Sequence, residues 1–161
     1  MFMKNFTIRY LTLMPLFFGL FFWTVSPVAR FINHYQTKLA LWFLGATIDG
    51  NRVDGADIWI NPHYKLYITN ACNGMIPILV LASAIVAYST KWSIKIVWLV
   101  IGYVVFTLVN FFRLYSVSML VKNQKDFHFY HDILGNALLI VVGLILFWLF
   151  LSSANAQRVT R

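Results

Sequence analysis

The run WSIKIVWLVIGYVVFTLVNFF, residues 92–112, decides what kind of fold this chain can adopt. It holds 21 consecutive residues with a single charge, on Lys95. An α-helix rises about 1.5 Å per residue, so a helix of this length spans the roughly 30 Å hydrocarbon core of a bilayer. The run therefore predicts a transmembrane helix.

Three further apolar runs stand on either side of it, and together the four predict crossings at about 10–28, 71–88, 92–112 and 131–151. The first run is longer than the apolar core of a signal peptide, so we expect it to remain as a helix. The chain of 161 residues is 60% hydrophobic and 11% charged, far less charged than a soluble domain. We predict one domain, 1–161, an all-α membrane protein built as a four-helix transmembrane bundle.

The net charge of +8 is compatible with nucleic-acid binding. The basic residues instead flank the apolar runs, where they anchor helices against membrane lipids, so no nucleic-acid partner is predicted. If both termini share one side, that side carries six cations in short segments and no acidic residue: Lys4, Arg9, Lys91, Lys95, Arg158 and Arg161. The positive-inside rule then predicts a multi-pass protein of the inner (cytoplasmic) membrane with both termini in the cytoplasm.

The polar insert 29–70 falls on the extracytoplasmic side. Its apolar residues recur at helical spacing, which predicts a helix lying in the membrane interface and bracing the bundle: Phe31, Tyr35, Leu39 and Trp42. The following stretch IWINPHYKLYIT, residues 58–69, has two β-prone halves around Asn61-Pro62 and predicts a small β-hairpin.

The topology brings three reactive side chains to one membrane depth. Cys72, the sole cysteine, lies at the outer end of the second crossing, Arg113 at that of the third, and His131 at that of the fourth. A helix N-terminus and nearby cations stabilise a thiolate, an imidazole transfers protons near neutral pH, and a guanidinium stabilises a developing oxyanion. The trio therefore predicts an acyl-transfer site facing outward.

Neighbouring residues are candidates for substrate contacts or for supporting the trio: Asn73, Gly74, Asn110 and His128. Asn110 shares a helix face with Arg113, and a helix-helix hydrogen bond is an equally good interpretation of it. Asp132 is expected to cap the fourth helix, because adjacent residues do not share a helix face with each other. Gly135 is expected to allow close helix packing beneath the site.

Three motifs also resemble a known family. NACNGM (70–75) opens a predicted helix, NFFR (110–113) closes the next, and FHFYHDILGN (127–136) opens the last. In this order they resemble the exosortase/archaeosortase family of multi-pass membrane cysteine transpeptidases, and the chain is more similar to compact members such as exosortase H than to the larger ones.

The resemblance implies catalytic roles for Cys72, Arg113 and His131. It also implies substrate proteins that end in a short motif, a transmembrane helix and a basic tail. Such an enzyme cleaves beside the motif through a thioester and transfers the new C-terminus to an amine, a lipid-linked acceptor or water. No cofactor is implied.

Two alternatives remain open from the sequence. A non-enzymatic membrane assembly subunit explains the helices equally well, although it gives no reason for the three polar residues to share a depth. A metal-binding membrane protein is the other, because the outer side carries several imidazoles and a thiol: His34, His63, His128, His131 and Cys72. Arg113 would repel a cation there, so no metal site is predicted.

Overall fold

The computed structural model describes residues 2–23, 26–48, 52–55, 57–61, 64–68 and 72–159. Its elements, in chain order, are α1 (Phe2–Phe22), α2 (Pro27–Thr47), β1 (Val53–Asp54), β2 (Asp57–Asn61), β3 (Tyr64–Tyr67), α3 (Met75–Ala87), α4 (Trp92–Leu120), α5 (Gln124–Phe127), a π-helix (His128–Gly135) and α6 (Asn136–Val159). The predicted predominance of helix is confirmed.

The first predicted crossing, 10–28, does not correspond to one helix. Helix α1 begins near the N-terminus and ends at Phe22, and α2 begins at Pro27. The reason lies in Ser26-Pro27: the residue before a proline avoids helical geometry, and proline suits the first turn of a new helix. Ser26 caps α2, with its hydroxyl accepting from the Ala29 N–H at 3.4 Å.

Two helical segments in the described part of the chain are long and apolar enough to cross a membrane. They are α4, with 29 residues, and the continuous helical stretch Gln124–Ala156, with 33. Helix α3 is apolar but has only 13 residues. Residues 70 and 71, predicted to open this helix, lie outside the described residues. The complete four-crossing bundle stays a prediction.

Helices α3, α4 and α6 share the main apolar core. Its buried members include Leu81, Ile85, Phe106, Leu146 and Phe150. Gly102 of α4 lets α3 approach closely, since a Cβ there would lie 2.8 Å from Leu81 Cδ2. Burial of these side chains fixes the helices relative to one another, and thereby fixes the positions of the polar residues near their ends.

Helix α2 turns its aromatic residues outward. Phe31, Tyr35 and Trp42 are exposed, Phe31 by 73%. The buried face contains Asn33 and Gln36 together with small and aliphatic residues. An exposed aromatic face is what a lipid-contacting helix requires, so hydrophobicity alone could not say which face would meet the protein.

Contacts along α2 show its course beside α4. The Gln36 amide donates to Thr107 Oγ1 at 3.2 Å and accepts from the Tyr103 hydroxyl at 2.8 Å. Further along, the rings of Phe43 and Phe111 stack with centroids 4.7 Å apart. Helix α2 therefore runs alongside the second half of α4. Its place in the membrane interface stays a prediction.

The predicted hairpin is present and gains a strand. β2 and β3 pair antiparallel, and β1 pairs antiparallel with β2, which gives a three-stranded sheet in the order β1-β2-β3. The turn residues Pro62 and His63 lie outside the described residues. Ile58 and Ile68 of the insert pack with Leu44, Phe111 and Leu114 in a second apolar core. The sheet is thereby fixed to the end of α4 that carries Arg113.

Candidate active site

Arg113 is the centre of the polar contacts. Its side chain is buried, with 5% of its surface exposed. Nη2 lies 3.0 Å from His131 Nε2 and 3.4 Å from His131 Nδ1, and it donates to the His131 carbonyl at 3.2 Å and to Asn136 Oδ1 at 3.1 Å. Nη1 donates to Asn110 Oδ1 at 3.5 Å. One guanidinium therefore joins α4 to the π-helix and to the start of α6.

Arg113 lies inside α4 and not just beyond its end, as the predicted span 92–112 had it. The helix continues to Leu120 because polar partners on neighbouring helices hold the buried cation. From Trp92 to Arg113 the helix rises about 32 Å, comparable to the thickness of the hydrocarbon core. If Trp92 marks one interface, Arg113 lies at the other.

Gly135 makes room for this arginine. A Cβ at position 135 would lie 2.4 Å from Arg113 Nε, closer than any real contact. The expected role of Gly135 in close packing beneath the site is therefore right, and the group it admits is the guanidinium. In the described part of the structure Nε has no hydrogen-bond partner, although it is buried. A buried donor without a partner is a feature that calls for a functional explanation.

His131 is held on three sides. Its Nδ1 lies 2.8 Å from Asp132 Oδ1, its ring stacks on Phe127 with centroids 4.5 Å apart, and Arg113 contacts its other nitrogen. The structure thus shows that Asp132 does not cap a helix. The cap belongs to Asn123, whose side chain accepts from Lys125 N and Asp126 N at the start of α5.

His128 lies on the solvent side of the same carboxylate. Its Nδ1 is 2.8 Å from Asp132 Oδ2, and its side chain is 70% exposed. The expectation that His128 supports the site or lies on the surface agrees with this placement. Adjacent residues 131 and 132 do contact each other, contrary to expectation, because the segment is a π-helix with a wider turn than an α-helix.

Cys72 lies three residues before α3 and is partly exposed. Its carbonyl accepts from Asn110 Nδ2 at 3.0 Å. Asn110 therefore contacts both the Cys72 backbone and the Arg113 guanidinium. Gly74 has a positive φ of 81°, and a Cβ there would lie 2.9 Å from the Asn110 side chain.

Asn73 also holds the chain around Cys72 in place. It is fully buried, its Oδ1 accepts from Met75 N at 3.0 Å, and its Nδ2 donates to Asn33 Oδ1 at 2.8 Å. Asn33 in turn donates to the carbonyls of Phe21 and Ala29. The chain around Cys72 is thus tied to α1, α2 and α3 through Asn73 and Asn33, and to α4 through Asn110.

A cavity of about 670 Å³ opens next to Arg113. We call it the lateral groove. It is bounded by residues of α1, α3, α4 and α6, with Gly74, Arg113 and Asn136 at one end and Phe6, Tyr10 and Phe147 at the other. Nearly all of the wall between these ends is apolar, including Val80, Leu139 and Leu144.

The sequence located the three principal residues, and the structure brings them to one end of the bundle: Arg113 contacts His131 directly and Cys72 through Asn110. Sequence reasoning missed Asn136, Asn33 and the contacts of Asp132. Asn136 is the last residue of the motif FHFYHDILGN, so its polarity inside an apolar helix was the available signal. Nothing in the local sequence pointed to Asn33.

The arrangement combines groups suited to acyl transfer. A thiol stands near a permanent cation, and an imidazole lies between that cation and a carboxylate. Among the described residues, no three His, Cys or Asp side chains converge as metal ligands would. His63, one of the imidazoles in the metal alternative, lies outside the described residues.

Comparison with known proteins gives one finding. Residues 4–148 match the family model described as "Transmembrane exosortase". No curated protein and no solved structure shows significant similarity to the chain. The match covers most of the chain, including all three motifs and every residue of the candidate site.

Proposed function

The chain belongs to the transmembrane exosortase family, and on that premise we propose that it is a membrane cysteine transpeptidase with Cys72 as its nucleophile. It cleaves the C-terminal sorting signals of exported proteins. The observation that carries this proposal is the buried Arg113, which contacts His131 directly and the Cys72 backbone through Asn110. A lone interfacial anchor would need neither burial nor these partners.

In the proposed reaction the Cys72 thiolate attacks the carbonyl carbon of the scissile peptide bond. The bond between sulfur and carbon forms, and the carbonyl oxygen takes up the negative charge of the tetrahedral intermediate. Arg113, which lines the polar end of the lateral groove, stabilises that oxyanion.

His131 carries the proton through both halves of the reaction. It accepts the thiol proton and then donates it to the leaving amine as the C–N bond breaks, which leaves a thioester on Cys72. An amine or lipid-linked acceptor, or water, next attacks the thioester and gives its proton to His131. The thiolate leaves, and the new C-terminus is joined to the acceptor.

The lateral groove is the proposed place for the transmembrane helix of the substrate. Its apolar wall suits an apolar helix of about 10–12 Å diameter resting partly in the groove and partly against lipid. One end of the groove is formed by Arg113 and Gly74, so a helix lying along it would present its outer end to Cys72. The proposal also has both termini in the cytoplasm and the site on the extracytoplasmic side of the inner membrane.

Processing of a reporter protein tests the nucleophile. The reporter ends in a sorting signal from the same genome, with a short motif, an apolar helix and a basic tail, and is co-expressed with this chain. We expect the wild type to release the tail, and Cys72→Ala to release none while inserting into the membrane at the wild-type level. Without an acceptor, a hydroxylamine-sensitive adduct should form on the wild type only. Full processing by Cys72→Ala would overturn the assignment.

The same cysteine tests the orientation, since the chain has no other. A membrane-impermeant maleimide should label Cys72 in spheroplasts and leave it unlabelled in sealed inside-out vesicles. Labelling from the inside only would reverse the proposed topology. A Cys72 that no maleimide modifies from either side would favour a non-enzymatic assembly subunit.

A further inference from the structure

The carboxylate of Asp132 lies between two imidazoles. Oδ1 is 2.8 Å from His131 Nδ1, and Oδ2 is 2.8 Å from His128 Nδ1. The three side chains differ in exposure: 12% for His131, 43% for Asp132 and 70% for His128. Asp132 thus connects an almost buried imidazole of the candidate site with one that is open to solvent.

All three side chains belong to the π-helix, whose hydrogen bonds run from i to i+5. His128 and Asp132, four residues apart, lie on one face, and the Asp132 carboxylate also contacts its neighbour His131. Short π-helical segments are often found at functional sites.

The partners of His131 define which nitrogen carries its proton. A carboxylate only accepts, so Nδ1 must donate to Asp132. Arg113 Nη2 lies 3.0 Å from Nε2 and 3.4 Å from Nδ1, near both ring nitrogens, so this contact does not select between them. A neutral imidazole with its proton on Nδ1 satisfies the Asp132 contact and leaves Nε2 free of a proton. Phe127, stacked on the ring, restricts its rotation.

We propose that Asp132 is a positioning residue of the active site, which holds His131 in the tautomer whose Nε2 exchanges protons during acyl transfer. His128 braces the second carboxylate oxygen and so fixes the Asp132 rotamer. Asp132 is not part of the lining of the lateral groove, and its contact with the candidate site is made through His131. This inference rests on the proposed function.

Imidazole nitrogen NMR tests the tautomer without any substrate. The chain has four histidines, so the spectrum of protein labelled with ¹⁵N-histidine in detergent micelles is tractable, and His131→Gln assigns the signal. In the wild type we expect Nδ1 of His131 to be protonated and Nε2 not. Asp132→Ala should give a mixture of tautomers. A wild-type His131 protonated on Nε2, or an unchanged spectrum in Asp132→Ala, would overturn the proposal.

Reporter processing supplies the second readout. General acid-base catalysis contributes about 10²–10⁴-fold, so Asp132→Ala should lower kcat by at least about tenfold and leave KM within about twofold. Asp132→Asn keeps an oxygen acceptor and should retain more activity than the alanine variant. His128→Ala should have a smaller effect than Asp132→Ala. An unchanged kcat in Asp132→Ala, or a change confined to KM, would contradict the positioning role.

Asp126→Ala is the matched control, because it removes the same charge from the adjacent helix α5. Asp126 accepts from the Lys122 N–H at 3.1 Å, and its carboxylate, unlike that of Asp132, is not hydrogen-bonded to His131 in the described part of the chain. Its variant should keep the wild-type tautomer and kcat. Failure of the proposed function would show as processing by Cys72→Ala, whereas failure of this inference would show as an unchanged His131 spectrum, so the two are distinguishable.

Discussion

At the scale of single residues, Arg113 shows how one buried cation in an apolar helix is held by partners on several elements. Two nitrogens of its planar guanidinium contact partners on different elements. Nη1 donates to Asn110, and Nη2 contacts His131 and donates to Asn136. A lysine has one nitrogen on a flexible stem and cannot satisfy both directions at once. These contacts therefore require an arginine at position 113, because a positive charge alone does not satisfy them.

We expect Arg113→Lys to lower the kcat of reporter processing by about 10²-fold or more, the usual loss when an oxyanion donor is removed. Arg52→Lys is a matched control, because Arg52 also donates to carbonyls near the outer end of α4, those of Trp59 and Ser118. It should process the reporter at close to the wild-type rate. Wild-type turnover by Arg113→Lys would contradict the role of Arg113 as an oxyanion donor and would favour a role as a membrane anchor.

At the scale of elements, the Asn33–Asn73 pair joins the N-terminal helices to the chain around Cys72. Both residues of this hydrogen bond are buried, and Asn33 also donates to the carbonyl of Phe21 at the end of α1. Removing Asn33 leaves donors and acceptors unpaired where water cannot replace them. The chain around Cys72 should then lose its attachment to α1 and α2.

Asn33→Ala should lower the free energy of unfolding by about 1–3 kcal/mol, the cost of leaving a buried polar group unpaired. Denaturation of the micellar protein with SDS measures this change, and reporter processing should fall with it. Asn155→Ala provides the comparison, since it removes the acceptor of the Tyr88 hydroxyl at the opposite end of the bundle. That variant should be destabilised but active. Undiminished processing by Asn33→Ala would contradict this account.

At the scale of the whole molecule, four helices form the lateral groove, and no single one contains it. Its wall includes Val80 of α3 and Leu139 of α6, and its polar end is supplied by α4 and by Asn136. A substrate helix placed there would therefore depend on how the bundle is assembled. Filling the groove should impair substrate docking while leaving the catalytic contacts intact.

Val80→Trp should raise KM or lower kcat/KM for the reporter by about tenfold, equivalent to roughly 1.4 kcal/mol of lost docking energy. Labelling of Cys72 by a small maleimide should continue at the wild-type rate. Val100→Trp makes the same substitution on the exposed surface of α4, outside the groove, and should have no effect. If both variants process the reporter equally well, the substrate helix docks elsewhere.

Much of the fold was predictable because bilayer thickness imposes a length on apolar helices. The runs containing α3, α4 and α6 and the hairpin at Asn61 were all identified from composition and spacing. The predicted ends of the helices differed from the structure at two places. Ser26-Pro27 broke an apolar run into two helices, and α4 continued past Arg113 because partners on other elements hold the charge.

The sequence by itself determined the apolar helices and the family, and it singled out Cys72, Arg113 and His131 as candidates, because these follow from composition, order and motif spacing. Only the tertiary structure decided which groups surround them: Asn136 and Gly135 around the guanidinium, Asp132 beside the imidazole, and Asn110 between Arg113 and the Cys72 carbonyl. The physical reason is that a buried polar group takes its partners from whichever helix faces it. Which helix that is depends on packing between segments far apart in the chain.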